Sequence, residues 1–200
     1  MESETPSLFV VAGANASGKT TFAVTLALLR DIPYVDPDAL APPSQAFRAG
    51  RAALSLRAMY LAARKTFAIE TTLAGRSIRR LIRLADSLDY KIVLVFIGTS
   101  SPDINVGRIL ERKQAGGHTV APDVVRRRYA RSLSALNDLI AYVDECHVFD
   151  NSGSWPPTRV ATMLAKTWTV QARVDWASEL TFLRDQRTRH AQDDPGLERT

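Results

Sequence analysis

Residues Gly13-Ala14-Asn15-Ala16-Ser17-Gly18-Lys19-Thr20 fit the pattern G-x-x-x-x-G-K-[ST] at every fixed position. Two glycines five apart let a backbone curl until successive N–H groups face one anion. Lys19 brings a mobile positive charge for β- and γ-phosphate oxygens, and Thr20 a hydroxyl suited to Mg²⁺. Such a loop holds a nucleoside triphosphate, with Thr21 in the first helical turn behind it. The guanine-reading N-K-x-D pattern is absent, which favours ATP over GTP. Switches, motors and kinases share this loop, so the reaction must be read from groups opposite the γ-phosphate.

Two acidic segments are candidates. Val35-Asp36-Pro37-Asp38 ends a short apolar stretch. A carboxylate there can take a proton from an attacking hydroxyl or hold metal-bound water. Asp38 is the better placed and Asp36 the alternative, while an Asx-Pro turn with capping aspartates explains the same residues without chemistry. Phe67-Ala68-Ile69-Glu70-Thr71-Thr72 ends in an acid and two hydroxyls. Glu70 can organise Mg²⁺ through water or hydrogen-bond a sugar hydroxyl, and Thr71 and Thr72 add polar groups beside it.

The third group is basic. From Gly107 to Arg131 there are seven positive residues against two negative ones, which accounts for the whole formal charge of +5. At 100° per residue, Arg128 and Arg131 lie toward the apolar stripe Val125, Tyr129, Leu133, Leu136, Ile140. Arg126 falls on the opposite flank and Arg127 toward solvent. Arg112, Arg128 and Arg131 are therefore the expected phosphate contacts, since guanidiniums stabilise the charge spread during phosphoryl transfer.

These residues need a scaffold that gathers them. Leu8–Ala12, Tyr34–Val35, Phe67–Glu70, Lys91–Ile97 and Cys146–Phe149 read as short buried strands. Between them run helical patterns over Gly18–Arg30, Gln45–Arg64, Ser77–Leu88 (apolar at Ile78, Leu81, Ile82 and Leu84), Ser101 to Gly116-Gly117, and Pro122 to about Val143. Ser101-Pro102 is a cap followed by a first-turn proline. Strands alternating with helices predict an α/β, three-layer P-loop NTPase fold with a mainly parallel sheet of five or six strands. Its strand carboxyl ends, and so the acids, share the edge where the phosphate loop sits. An edge strand is expected within Val160–Val170 and a short helix over Asp175–Arg184. Residues 1–185 read as one domain and 186–200 as a flexible tail.

Composition sets outer bounds. The chain has 200 residues, 46% hydrophobic and 24% charged, an ordinary globular balance. No run approaches the ~20 apolar residues of a membrane span, and the acidic N-terminus does not read as a signal peptide. The expectation is a cytoplasmic protein without a membrane partner. The single Cys146 excludes an internal disulfide and reads as a small buried hydrophobe. Three histidines show no ligand spacing.

The loop, Val35-Asp36-Pro37-Asp38, Glu70-Thr71-Thr72-Leu73-Ala74-Gly75-Arg76, Arg112 before Gly116-Gly117-His118, Arg128-Tyr129 and Asp150-Asn151-Ser152 occur in this order. In that combination, from Leu8 to Ser152, the chain resembles the zeta toxin family, above all its short single-domain members. The resemblance implies a P-loop kinase with ATP and Mg²⁺, a UDP-N-acetylglucosamine acceptor phosphorylated on its sugar, and an antitoxin partner. It implies Lys19 and Thr20 as ATP-phosphate and Mg²⁺ residues, Asp38 as general base, Glu70 as substrate-binding acid, and Arg112 and Arg128 as lid arginines, with Arg131 a weaker match. Asp36 stands where asparagine is more usual, adding a charge that can raise the acid pair's pKa or recruit metal. His118 has no assigned role.

Three functions are compatible with the residues: a kinase acting on a sugar nucleotide, a kinase acting on another acceptor such as a nucleic-acid end, and a nucleotide-dependent switch. The second is disfavoured because aromatic and basic residues do not interleave as base-stacking surfaces require.

Overall fold

The computed structural model describes residues 5–26, 29, 31–40, 43–116 and 119–183. Seven strands form one sheet in the order β2-β3-β1-β4-β5-β6-β7. They are β1 (Ser7–Ala12), β2 (Tyr34–Val35), β3 (Phe67–Thr71), β4 (Lys91–Gly98), β5 (Glu145–Asp150), β6 (Thr158–Leu164) and β7 (Thr167–Val170). The first five pair in parallel, and β6 and β7 close the far edge antiparallel. The helices are α1 (Lys19–Thr25), α2 (Pro37–Leu40), α3 (Ala46–Ala62), α4 (Arg76–Ser87), α5 (Pro102–Gln114) and α6 (Pro122–Leu139).

Alternation along the strands explains the three layers. Leu8, Val10, Ala12, Phe67, Ile69, Ile92, Leu94 and Phe96 face one way, into a core shared with α3, α4 and α6. Val11 and Ala68 face the other way and pack against α1, as do Val95, Ile97 and Phe149 through Phe22. Both faces are covered, so the middle residues of the central strands are apolar on both sides, with Ser7, Lys91, Glu70 and Thr71 at strand ends. Cys146 is fully buried in the first of these cores. Among the described residues no helix is long and apolar enough to cross a membrane.

Four elements depart from the sequence expectation. α1 ends at Thr25 rather than Arg30. The Thr25 hydroxyl donates to the Phe22 carbonyl at 2.7 Å and Leu26 turns extended, a local bond that competes with the helix ladder. Within α4, Leu84 is exposed and Ala85 takes the buried position with Ile78, Leu81 and Ile82. The expected single edge strand is a hairpin, β6 and β7, turning through Ala165 and Lys166, both at positive φ. Neither is the Gly or Asn that marks such a turn. The expected helix over Asp175–Arg184 is a 3₁₀ segment, Asp175–Glu179, followed by a helical turn at 181–183. Gly117, His118 and the expected tail at 186–200 lie outside the described residues.

The segment after β7 returns to the site. Trp176 is buried against Phe96, and its Nε1 donates to Asp150 Oδ1 at 2.8 Å. A Cβ built on Gly98 would lie 2.1 Å from the Trp176 ring, so only glycine fits there.

Candidate active site

The phosphate loop links the end of β1 to α1, with the helix N-terminus directed at it. Gly13 (φ +144°) and Gly18 (φ +97°) adopt backbone conformations open to glycine. Space imposes the same choice: a Cβ at Gly13 would stand 2.2 Å from the Ile97 carbonyl, and one at Gly18 2.4 Å from Asn151 Nδ2. Ala16 also turns left-handed, at φ 55°. Alternating hands of this kind turn successive N–H groups to one side, as an anion cradle needs.

The loop is held from outside by side chains that were not among the expected phosphate or acceptor contacts. Asn105 Nδ2 donates to the Asn15 carbonyl at 2.6 Å, while its Oδ1 accepts from Thr99 Oγ1 at 2.6 Å. Asn151 Nδ2 donates to the Ser17 carbonyl at 2.8 Å. Arg108 donates to the Asn151 carbonyl at 2.8 Å and reaches the Ala16 carbonyl at 3.5 Å. Tyr129 closes the ring by donating to the Thr99 carbonyl at 2.6 Å. Asn151 carried a signal, since it lies in the Asp150-Asn151-Ser152 segment. Arg108 was one of the basic residues between Gly107 and Arg131, on the same helix face as Arg112, and Asn105 carried no signal beyond a place on α5.

Lys19 is 7% exposed and donates to the Ala14 carbonyl at 2.9 Å. Glu70 lies 4.0 Å from its ammonium. The Glu70 carboxylate accepts from Thr20 Oγ1 at 2.9 and 3.0 Å and from Tyr34 Oη at 3.0 Å. Burial pushes the Lys19 ammonium below its usual pKa, a shift opposed by the charges of Glu70, Asp38 and Asp36 and reinforced by Arg112. Burial also pushes Glu70 above the usual carboxylate range; Lys19 and the Thr20 and Tyr34 bonds oppose that, and Asp36 reinforces it. Two desolvated opposite charges hold each other here, and each stays costly because the pairing is long.

The two aspartates divide their roles. Asp36 Oδ1 accepts from the Asp38 backbone N–H at 3.0 Å and starts α2 as an Asx turn. Asp38 is on the first turn of α2 and lines the same pocket as Lys19 and Glu70. The Asp36 carboxyl is raised, by burial first and by Asp38 among the charges. Asp36 thus makes the Asx turn, while Asp38 lines the pocket.

One pocket of about 690 Å³ collects most of the expected residues: Asn15, Lys19, Asp36, Asp38, Glu70, Thr71, Thr72, Arg128 and Arg131. Arg128 Nη1 donates to Asn15 Oδ1 at 3.2 Å, tying α6 to the loop. Thr71 Oγ1 accepts from the Leu73 N–H and shapes the turn after β3. Arg112 is exposed and does not line the pocket, although its charge reaches Lys19. Thr21 is exposed on α1. Arg126 pairs with Asp103 and Arg127 with Asp123, both on the surface. The pocket also includes Arg51 and Arg57 from α3, which the sequence reading did not select.

Comparison with known structures bears on the fold. A chain of the AvrRxo1-ORF1:-ORF2 complex crystallised with ATP superposes with a TM-score of 0.66 at 16% identity, over 92% of this chain and 64% of that one. The chain thus spans less than two thirds of that relative's length. A chain from the PezAT chromosomal toxin-antitoxin system of Streptococcus pneumoniae superposes with a TM-score of 0.65 at 15% identity, over 98% and 90% of the two chains. One from the Pnkp1/Rnl/Hen1 RNA repair complex gives 0.54 at 16% identity, over 87% and 53%. The chain shares its α/β fold with these solved structures. No protein-family model matches the chain. The chain belongs to the same family as an uncharacterized protein of Haemophilus influenzae, to which it is 32% identical over 123 residues, 58% of this chain and 88% of that protein.

Proposed function

We propose that the protein is an ATP-dependent phosphotransferase of the zeta toxin type, and that its acceptor is a hydroxyl of a small molecule, UDP-N-acetylglucosamine before others. The observation that carries this reading is that Lys19, Asp38, Glu70 and Arg128 line one pocket. A switch needs the first of these; a transferase needs all four.

The chemistry follows from their types. Asp38 takes the proton of the acceptor hydroxyl as its oxygen bonds to the γ-phosphorus. The bond from that phosphorus to the β–γ bridging oxygen breaks, and its electrons leave with ADP. Lys19 and Arg128 stabilise charge on the phosphoryl oxygens, with Arg112 and Arg131 as further lid cations. Glu70, Thr71 and Thr72 orient the acceptor. The Thr20 hydroxyl and Glu70 carboxylate, 2.9 Å apart, with Asp36 near them, form an all-oxygen donor set that fits Mg²⁺. Bound there, Mg²⁺ supplies charge neutralisation at the phosphates.

By the same reading the protein is the toxin of a toxin–antitoxin pair, working in the cytoplasm. The likeness to a chain of the PezAT system supports this. The test is mass spectrometry of UDP-sugars incubated with protein, ATP and Mg²⁺, with Lys19→Ala as control. A phosphate-sized mass gain that depends on Lys19 is expected. ATP binding without transfer to any UDP-sugar overturns the acceptor assignment. An oligonucleotide arm tests a nucleic-acid 5′ end, the second reading, which the formal charge of +5 allows.

A further inference from the structure

Arg57 has no part in the machinery described so far. It sits on α3, 8% exposed, with its Nε fully buried and without a hydrogen-bond acceptor among the described residues. No carboxylate among those residues forms an ion pair with it. Burial alone sets its pKa, pushing it below the usual value with no neighbouring anion to restore it. A guanidinium nitrogen taken out of water without a partner is unfavourable. Buried and unpaired charges of this kind mark binding sites more than folds.

Its surroundings give the direction. Gly50, Ala53, Leu54 and Arg57 line the pocket at spacings of three, one and three, which is one face of α3. Gly50 and Ala53 are small, and a Cβ at Gly50 would meet nothing within 4 Å. Arg57 thus lies behind open space in the pocket that also holds Asp38 and Glu70. The γ-phosphate already has Lys19 and Arg128 at the loop. A planar fork of donors suits a phosphate or other oxyanion.

We infer that Arg57 binds an anionic group of the acceptor itself, so that the protein selects phosphorylated acceptors over neutral ones. This rests on the phosphotransferase reading for the word acceptor, but the binding can be tested apart from turnover. The anion is either the diphosphate of a nucleotide sugar or the monophosphate of a sugar phosphate, and both present the same oxygens to Arg57.

The experiment is calorimetric titration of the full chain, saturated with Mg²⁺ and a non-hydrolysable ATP analogue so that the loop is filled. The probes are UDP-N-acetylglucosamine, N-acetylglucosamine 1-phosphate and N-acetylglucosamine. At least one anionic probe binds more tightly than the neutral sugar, and which one does names the source of the anion. Arg57→Gln weakens that probe roughly 10- to 100-fold, the loss of a charge-assisted bond, and leaves the ATP analogue and neutral sugar unchanged. Equal affinities for charged and neutral probes, or an unchanged affinity in Arg57→Gln, overturn the inference. A second variant guards against a structural role: Arg57→Met keeps or raises the Tm of the nucleotide-free protein, because an unpaired buried charge is removed. A lower Tm overturns the inference. Transfer by Arg57→Gln with the wild-type acceptor KM also overturns it and spares the kinase. Arg57-dependent binding without transfer to any UDP-sugar has the opposite meaning.

Discussion

The two walls of the pocket are built differently. On the donor side, the carbonyls of Asn15, Ala16 and Ser17 are all engaged by side chains of Asn105, Arg108 and Asn151. On the acceptor side, α2 is a single turn that starts at the Asp36 Asx bond, Phe47 and Leu54 are exposed, and Arg57 Nε has no acceptor among the described residues. The donor wall has its loop carbonyls held by the protein, with the buried Ser17 hydroxyl left without a partner among the described residues. The acceptor wall has groups whose partners must come with a ligand. A site that meets one constant substrate can be fixed in advance, which removes reorganisation from the reaction. A site that must discriminate acceptors does so best with buried polar groups that only the right molecule satisfies.

The contrast can be broken most strongly where the walls meet. Asp38→Asn removes the proton acceptor while keeping shape, so transfer falls on the order of 10³-fold with ATP affinity unchanged. Unchanged turnover in steady-state kinetics would assign Asp38 to structure and favour the switch.

Next comes the donor wall. Gly13→Ala drives a Cβ onto the Ile97 carbonyl and destabilises the fold by roughly 3 kcal/mol, read as a lower denaturation midpoint with ATP binding lost. Asn151→Ala frees the Ser17 carbonyl and costs about 1–3 kcal/mol. Because that bond belongs to the donor wall, ATP affinity falls while acceptor affinity, titrated separately, does not.

The smallest effect concerns pH. Glu70 holds its proton more tightly folded than unfolded, so its contribution to stability is present below the ordinary carboxylate range. That contribution is lost as pH rises through the raised folded value. Melting of the nucleotide-free protein across that acid-to-neutral window should therefore show a downward component that Glu70→Gln removes. Parallel curves for the two proteins would place the strain elsewhere.

The legible parts of the molecule were those written locally. Apolar runs such as Lys91–Ile97 and glycines at fixed spacing act through a few neighbouring residues, and the five parallel strands and the loop came out where expected. The meeting of Asp38 and Glu70 at one pocket was legible because strand ends in a parallel sheet converge. The braces were not: Asn105 meets Asn15 across 90 positions and Asn151 meets Ser17 across 134. Nothing local marks an asparagine as a brace. The β6–β7 turn was missed because Ala165 and Lys166 adopt positive φ against their own preference, which the flanking strand pairing imposes. Arg57 looked like one more helix arginine until burial singled it out.

Trp176 carries a consequence for the order in which the molecule is made. Translation delivers the N-terminal residues first, so the phosphate loop emerges long before the groups that fix it. Asn151 must follow, and the ring that fills the space over Gly98 comes 78 positions after that glycine. A nascent chain carrying the entire loop therefore still lacks its frame. A framed loop arrives late in synthesis, nearly all at once, and a chain stopped before residue 176 leaves Asp150 without the indole that anchors it.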